Sequence, residues 1–225
     1  MKKYFSIVVV LIFSFINCTD DKKSVAQPAA QSAPNVPRDY AIQYNEDLYK
    51  IEDFLKTHSI TVINHADFTD DQDASFAIVP NLDSNSIWGD NAATPKLSLL
   101  VKLATVGGVA HKIYYIKFRE GVGASPNINS TIRAVFSGFL TTNMSAAFDK
   151  SVQQGAVFSL NQLIFGWREI LPEFKMGTVS STNVYSDFGA GVMFLPSAFG
   201  YYDKNTAQIP AYSPLIFTIK LYNVL

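Results

Sequence analysis

Phe148-Asp149-Lys150-Ser151, then Gly166-Trp167-Arg168-Glu169, then Leu195-Pro196-Ser197 and Gly200-Tyr201 mark out the stretch whose reading decides the fold. Between the first and third groups, Ile164 to Lys175 carries the spacing of one short helix. Trp167, Ile170 or Leu171, and Phe174 fall on one face of it, and Gly177 suits its C-terminal stop. Val192 to Leu195 then reads as a strand. The chain holds 17 Phe and 11 Tyr, which a β-rich fold with an aromatic-lined cavity would use.

Outward from this stretch the apolar period is two. Ile113-Tyr114-Tyr115-Ile116-Lys117-Phe118 is strand-like, Gly121 to Pro126 breaks it, and Ile132, Ala134 and Phe136 alternate down the next strand. In the last strand Leu215, Phe217, Ile219 and Leu221 face one way, and Ile216, Thr218, Lys220 and Tyr222 the other. Toward the N-terminus, Asp39 to His58 is helical, with Asn45 as a cap, Glu46 and Asp47 in the first turn, and Leu48, Ile51 and Leu55 at helical spacing. Thr61 to Ile63 reads as a short strand, and Asn64 to Pro95 as loops with one strand at Ser75 to Val79. The predicted class is α+β: a twisted antiparallel β-sheet wrapped around a short helix over 113–225, with an N-terminal helix-and-loop extension over 39–112.

Composition excludes several functions. The 18 basic and 19 acidic residues nearly balance, with no basic stripe of the kind a phosphate backbone requires, so no nucleic-acid partner is expected. His58, His65 and His111 sit in no nucleophile motif, and no Gly-x-Ser-x-Gly elbow is present, which sets a hydrolase aside. One cysteine and no His-x-x-x-His pair leave zinc unsupported. Asp67, Asp70, Asp71 and Asp73 lack the alternating carboxylates, central Gly and distal Glu of a calcium loop, and read as a solvated acidic loop. No metal and no cofactor is expected.

Met1-Lys2-Lys3 is a short basic start, and Tyr4 to Ile16 is almost wholly apolar. That run is shorter than the ~20 residues of a spanning helix and fits the apolar core of a secretory leader. Cys18 follows directly. It resembles the lipidated cysteine of a bacterial lipobox, although Phe15-Ile16-Asn17 departs from the usual residues before it; the alternative is an ordinary leader that contains a cysteine. With lipidation, residues 1–18 are a leader and 19–38 a flexible tether rich in Lys, Ala, Gln, Ser and Pro. Asp20-Asp21 resembles signals that send lipoproteins of gliding bacteria to the outer face of the outer membrane, or is a solvated charge run. The expected location is the outer membrane, lipid-anchored, facing the periplasm or the cell surface.

From about Ile113 to Leu225 the chain resembles the FKBP-type peptidyl-prolyl cis-trans isomerases. Gly121-x-Gly123-x-x-Pro126 is similar to the bend after that family's first strand, and Phe136-Ser137-Gly138-Phe139-Leu140 to its Tyr-Thr-Gly-x-Leu. Phe148-Asp149-x-Ser151, Leu163-Ile164-x-Gly166-Trp167, Leu195-Pro196 through Gly200-Tyr201, Ile209-Pro210 and Leu215-Ile216-Phe217 follow in the family's order. The lipobox, the N-terminal helix and the ending Pro210-Ala211-Tyr212-Ser213-Pro214 narrow the resemblance to lipid-anchored members associated with gliding motility and envelope biogenesis.

The resemblance implies rotation about Xaa-Pro bonds of polypeptide clients, inhibition by a macrolide such as rapamycin, and a site without metal or cofactor. Trp167 would floor the pocket. Phe148, Phe136, Phe217 and Ile209 would wall it, with Leu163 and Ile164 at the rim. The Ile164 N–H and the Tyr201 hydroxyl would bind peptide carbonyls, and Asp149 would sit beside the rotating amide. The alternative is that Trp167, Phe148 and Phe217 are simply core; an acidic Asp149 among apolar residues, costly unless used or paired, argues for a site. Five departures stand out. Phe136 replaces a Tyr that would partner Asp149, and Val157 replaces an aromatic, thinning the wall. Thr178 to Ala190 resembles an insertion, and Tyr202 and Ala211 replace a Gly and a Pro. An isomerase and a non-catalytic lipid-anchored chaperone or binding component of a gliding or secretion apparatus are the two readings.

Overall fold

A computed structural model of the chain describes residues 36–65, 71–89 and 97–225. The expected leader, Cys18 and the tether up to Asn35 lie outside these residues, as do Asp67 and Asp70. Helix α1 spans Tyr40–Thr57. Strands β1 (His58–Ile63) and β2 (Asp73–Ile78) form a two-stranded ribbon behind it. The main sheet is antiparallel and is built from β3 (Leu100–Val106), β4 (Val109–Arg119), β5 (Thr131–Leu140), β6 (Asp149–Lys150), β7 (Ala156–Ser159), β10 (Gly189–Leu195) and β11 (Leu215–Val224). Its order is β3-β4-β10-β11-β5-β6, with β7 also paired to β5. Helix α2 (Phe165–Ile170) packs on one face, and a small hairpin of β8 (Thr178–Val179) and β9 (Tyr185–Ser186) leads into β10.

Strand alternation explains why two helices cover this sheet. Leu215, Phe217, Ile219 and Leu221 of β11 join Trp167, Ile170, Leu171 and Phe174 in one core. Ile216 of the same strand, with Tyr114, Ile116, Val192 and Phe194, joins Ile51, Phe54 and Leu55 of α1 in a second core on the opposite face. Each fully buried aliphatic or aromatic side chain contributes about 1.5–3 kcal/mol. The three α1 anchors therefore suffice to dock an otherwise polar helix. Pro37–Leu225 form one compact unit; the expected N-terminal extension is thus a layer of it.

Several expected boundaries move. The division placed between Lys112 and Ile113 falls inside β4, because β3 and β4 form a hairpin that begins at Leu100. Asn45 does not cap α1. Asp39 does, its carboxylate accepting from the Ala41 and Ile42 N–H groups at 2.8 and 3.1 Å. Asp47 consequently sits in the helix interior and is buried. Gly177 is not the stop of α2. The helix passes into a 3-10 turn at Leu171–Glu173, where Pro172 has no N–H to continue the ladder. Gly177 is small for another reason: a Cβ there would lie 2.3 Å from the Ser186 carbonyl oxygen across the β8–β9 hairpin. The segment read as an insertion over Thr178 to Ala190 ends earlier, since β10 starts at Gly189.

Asp71 and Asp73 are held by cations. Asp71 pairs with Arg119 at 2.7 Å, and Asp73 with Lys220 at 2.8 Å. Lys220 is buried, because its face of β11 is covered rather than solvated. The acidic loop thus supplies counter-charges to two cations of the sheet. His111 is buried between Tyr44 and Phe199, and His58 stacks on Phe54; both are packing groups.

Candidate functional site

An open cleft of about 380 Å³ is lined by Phe148, Asp149, Tyr201, Thr206, Ala207, Gln208 and Ile209. Its first wall is the start of β6. The Phe148 N–H donates to the Gly138 carbonyl at 2.9 Å, and Asp149 stands in register with Gly138. Ser151 locks this edge twice: its N–H donates to the Phe136 carbonyl, and its Oγ accepts from the Phe136 N–H, both at 3.0 Å. Phe-Asp-x-Ser is therefore a unit in which the serine fixes the strand that presents the first two side chains. The second wall is the segment from Tyr201 to Ile209, tightened by the Thr206 N–H on the Ile209 carbonyl and the Ile209 N–H on Thr206 Oγ1, both 2.9 Å.

Beneath the cleft the aromatic rings form a continuous edge-to-face cluster. Phe148 meets Phe217 at 5.6 Å and 90°, Phe217 meets Trp167 at 5.5 Å and 83°, and Trp167 meets Phe136 at 5.2 Å and 87°. Phe158 closes the far side of the indole at 6.1 Å and touches Phe136 at 6.0 Å. Such pairs contribute about 0.5–1.5 kcal/mol each beyond their burial. Trp167 is only 4 % exposed and does not line the cleft. Expected as the pocket floor, it lies one ring layer below the opening, where Phe136, Phe158 and Phe217 clasp it. Phe136 and Phe217 are likewise core; of the expected apolar wall residues, Phe148 and Ile209 line the opening.

Val157 is 48 % exposed and belongs to the outer face of β7, so it is no part of the wall. Its neighbour Phe158 turns inward instead, because successive strand residues point to opposite faces. Phe158 thereby joins the ring cluster beneath the cleft and does not line the opening.

Leu163 and Ile164 are half-buried against the same core. The Ile164 carbonyl caps α2, accepting from Trp167 N and Arg168 N at 3.1 and 3.4 Å, while its own N–H meets no acceptor among the described residues. Arg168 Nε donates to the Leu163 carbonyl at 2.7 Å and holds this rim in place.

Asp149 is exposed to solvent, which corrects the argument from its burial cost. What marks it is position: it shares the cleft with Tyr201. Burial first, and the Asp149 charge second, push the Tyr201 hydroxyl above its ordinary pKa, further from the neutral range in which a tyrosine is already a protonated donor. Phe136 supplies no hydroxyl to Asp149, and its ring is spent on Trp167.

The family model described as FKBP-type peptidyl-prolyl cis-trans isomerase matches residues 123–222. FK506-binding protein 1 of Dictyostelium discoideum is 32% identical over 77 residues, covering 32% of this chain and 70% of that protein. FKBP-type peptidyl-prolyl cis-trans isomerase FkpA of Aeromonas hydrophila is 27% identical over 141 residues, which is 62% of this chain and 48% of FkpA. The chain thus spans about half the length of FkpA. A crystal structure of a peptidyl-prolyl cis-trans isomerase from Pseudomonas syringae is 26% identical, with a TM-score of 0.43, covering 55% of this chain and 80% of that one. The chain belongs to the FKBP-type peptidyl-prolyl cis-trans isomerase family.

Proposed function

We propose that the chain is a peptidyl-prolyl cis-trans isomerase acting on proline-containing segments of exported or envelope proteins. The observation that supports this most is one cleft carrying Phe148, Asp149, Tyr201 and Ile209 directly above a packed aromatic cluster. Amide resonance gives the Xaa-Pro bond a barrier of ~18–20 kcal/mol. Only binding that favours the twisted amide over both planar forms accelerates the exchange. Twisting removes resonance and much of the carbonyl dipole, so an apolar ring surface accepts it better than the planar amide. Phe148 and Ile209 supply that surface. The Tyr201 hydroxyl and the Ile164 N–H donate to flanking carbonyls and fix the peptide, and Asp149 lies at the edge of the rotating bond. Each ~1.4 kcal/mol of preference for the twisted form is worth tenfold in rate.

The test is exchange of a fluorogenic proline tetrapeptide by the purified chain, with and without a macrolide such as rapamycin. No acceleration over buffer sinks the proposal. Asp149→Ala is expected to lower kcat/KM by about tenfold while shifting stability by less than about 0.5 kcal/mol, since the side chain is exposed. Steady-state kinetics beside a urea titration checks both halves.

A non-catalytic chaperone or binding component is the second reading. What favours it is the depth of Trp167, which leaves the opening shallow. Cells that tolerate loss of turnover in Asp149→Ala but not deletion of the β8–β9 hairpin would support it.

We also propose that Cys18 carries lipid and anchors the chain at the outer membrane, in the manner of the gliding-motility-associated members. Cys18→Ser is expected to move the protein from the membrane pellet to the soluble fraction, because a serine offers no thiol for the acyl chains that hold it. Retention in the pellet would overturn the anchor.

A further inference from the structure

We infer that α1 is a brace for the cleft's second wall, with Asp47 as its positioning residue; the functional half of this rests on the isomerase reading. Asp47 is 1% exposed and has no cation hydrogen-bonded to it among the described residues. Burial raises its pKa. A buried carboxylate is costly, and docking α1 on the sheet does not call for one, since Ile51, Phe54 and Leu55 already anchor it. What the carboxylate does instead is hold a point 150 positions away in the chain. Its Oδ2 accepts from the Ser197 N–H at 2.8 Å and from the Ser197 Oγ at 2.6 Å, while Oδ1 accepts from Gln43 Nε2 at 2.8 Å.

Ser197 opens the 3-10 turn Ser197–Phe199, and its carbonyl accepts from both Gly200 N and Tyr202 N at 2.9 Å. The two residues flanking Tyr201 are thus tied to the one that Asp47 holds. Tyr202 is the departure noted in the sequence, a tyrosine where the family has glycine. Its φ of +49° is the left-handed conformation that a glycine adopts freely and a tyrosine does not. The helix compensates: the Tyr202 ring stacks on Tyr40 at 4.5 Å and 8°, and its hydroxyl donates to the Arg38 carbonyl. Tyr212, at φ +60°, is held the same way, accepting from the Arg38 N–H at 3.0 Å with the Arg38 guanidinium 4.6 Å from its ring centre. Asp47, Tyr40 and Arg38 therefore grip Ser197, Tyr202 and Tyr212 respectively, holding Ser197–Tyr212 from behind. The front of that segment carries Tyr201, Thr206 and Ile209 into the cleft. The position of α1 sets the distance between the two walls, and with it the fit of the peptide around proline.

The experiment compares Asp47→Leu and Asp47→Asn with wild type in the full-length chain in detergent. Asp47→Leu keeps the helix packed and removes the acceptor, while Asp47→Asn keeps one acceptor oxygen. In Asp47→Leu the amides of Gly200, Tyr202 and Ile209 are expected to lose hydrogen-exchange protection by about tenfold or more, with Ile116 and Val192 in the sheet unchanged. kcat/KM for proline tetrapeptides is expected to fall about tenfold, with a changed ranking of the residue before proline, since an ångström of misplacement suffices for that. Asp47→Asn is expected to recover most of both. Unchanged protection in the loop, or equal loss in the sheet, overturns the brace; loosened amides with kcat/KM within about twofold overturn the positioning role. If wild type itself turns over no peptide, the isomerase reading fails, and the exchange measurement alone decides the brace.

Discussion

Replacing Trp167 by alanine is expected to lower the unfolding free energy by about 3–5 kcal/mol and to remove the proposed prolyl isomerisation with it. The indole touches Phe136, Phe158 and Phe217, so its loss undoes three edge-to-face pairs and leaves a cavity that β5, β7 and β11 cannot easily close. A domain of this size has a total stability of about 5–15 kcal/mol, so the variant stands near the threshold of folding. The functional loss follows by contact: Phe217, freed on one side, no longer fixes Phe148, which lines the cleft. Urea unfolding followed by far-ultraviolet circular dichroism is the measurement, since Trp88 would remain as a second fluorophore. Trp167→Phe separates the two effects, keeping most of the ring contacts at a fraction of the stability cost. A shift below about 1 kcal/mol for the alanine variant would mean that the cluster is not organised around the indole.

What was legible in the sequence follows from which forces act locally. The alternation of β11 and the helical face of α2 are written into neighbouring residues, and the ordered fragments from Gly121 to Phe217 locate the cleft's walls. β3 was not legible. It is an edge strand whose apolar Val101 and Leu103 lie on the solvent side, so polarity does not alternate with burial. Val157 and Phe158 show how a one-residue offset exchanges the inside and outside of a strand. The burial of Lys220 leaves no mark on its neighbours in the sequence, because its partner Asp73 in β2 comes from a part of the chain far away. Asp47 read as a first-turn acid for the same reason: a bond to Ser197 leaves no mark on the residues around either partner. The depth of Trp167 depends on three rings from three different strands. No spacing rule reports that.

Gly138→Ala is expected to reduce kcat/KM by more than tenfold while costing about 1–3 kcal/mol of stability. In a strand interior the exchange of glycine for alanine ordinarily helps, by about 0.5–1 kcal/mol, through lost freedom in the unfolded chain. Here the added methyl would lie 2.6 Å from Phe148 Cζ and 2.7 Å from Phe217 Cε1, closer than such atoms can approach. One ring must move. Phe217 is wedged against Trp167 and Phe136 and is 4% exposed, whereas Phe148 is only half-buried and faces the opening. Phe148 therefore yields, and it yields into the space a prolyl peptide would occupy. Peptide kinetics and a thermal melt on the same preparation distinguish this from a general loss of fold. Activity within about twofold of wild type would show that turnover does not depend on where the Phe148 ring stands, and the apolar surface assigned to it in the proposed mechanism would have to be sought elsewhere in the cleft.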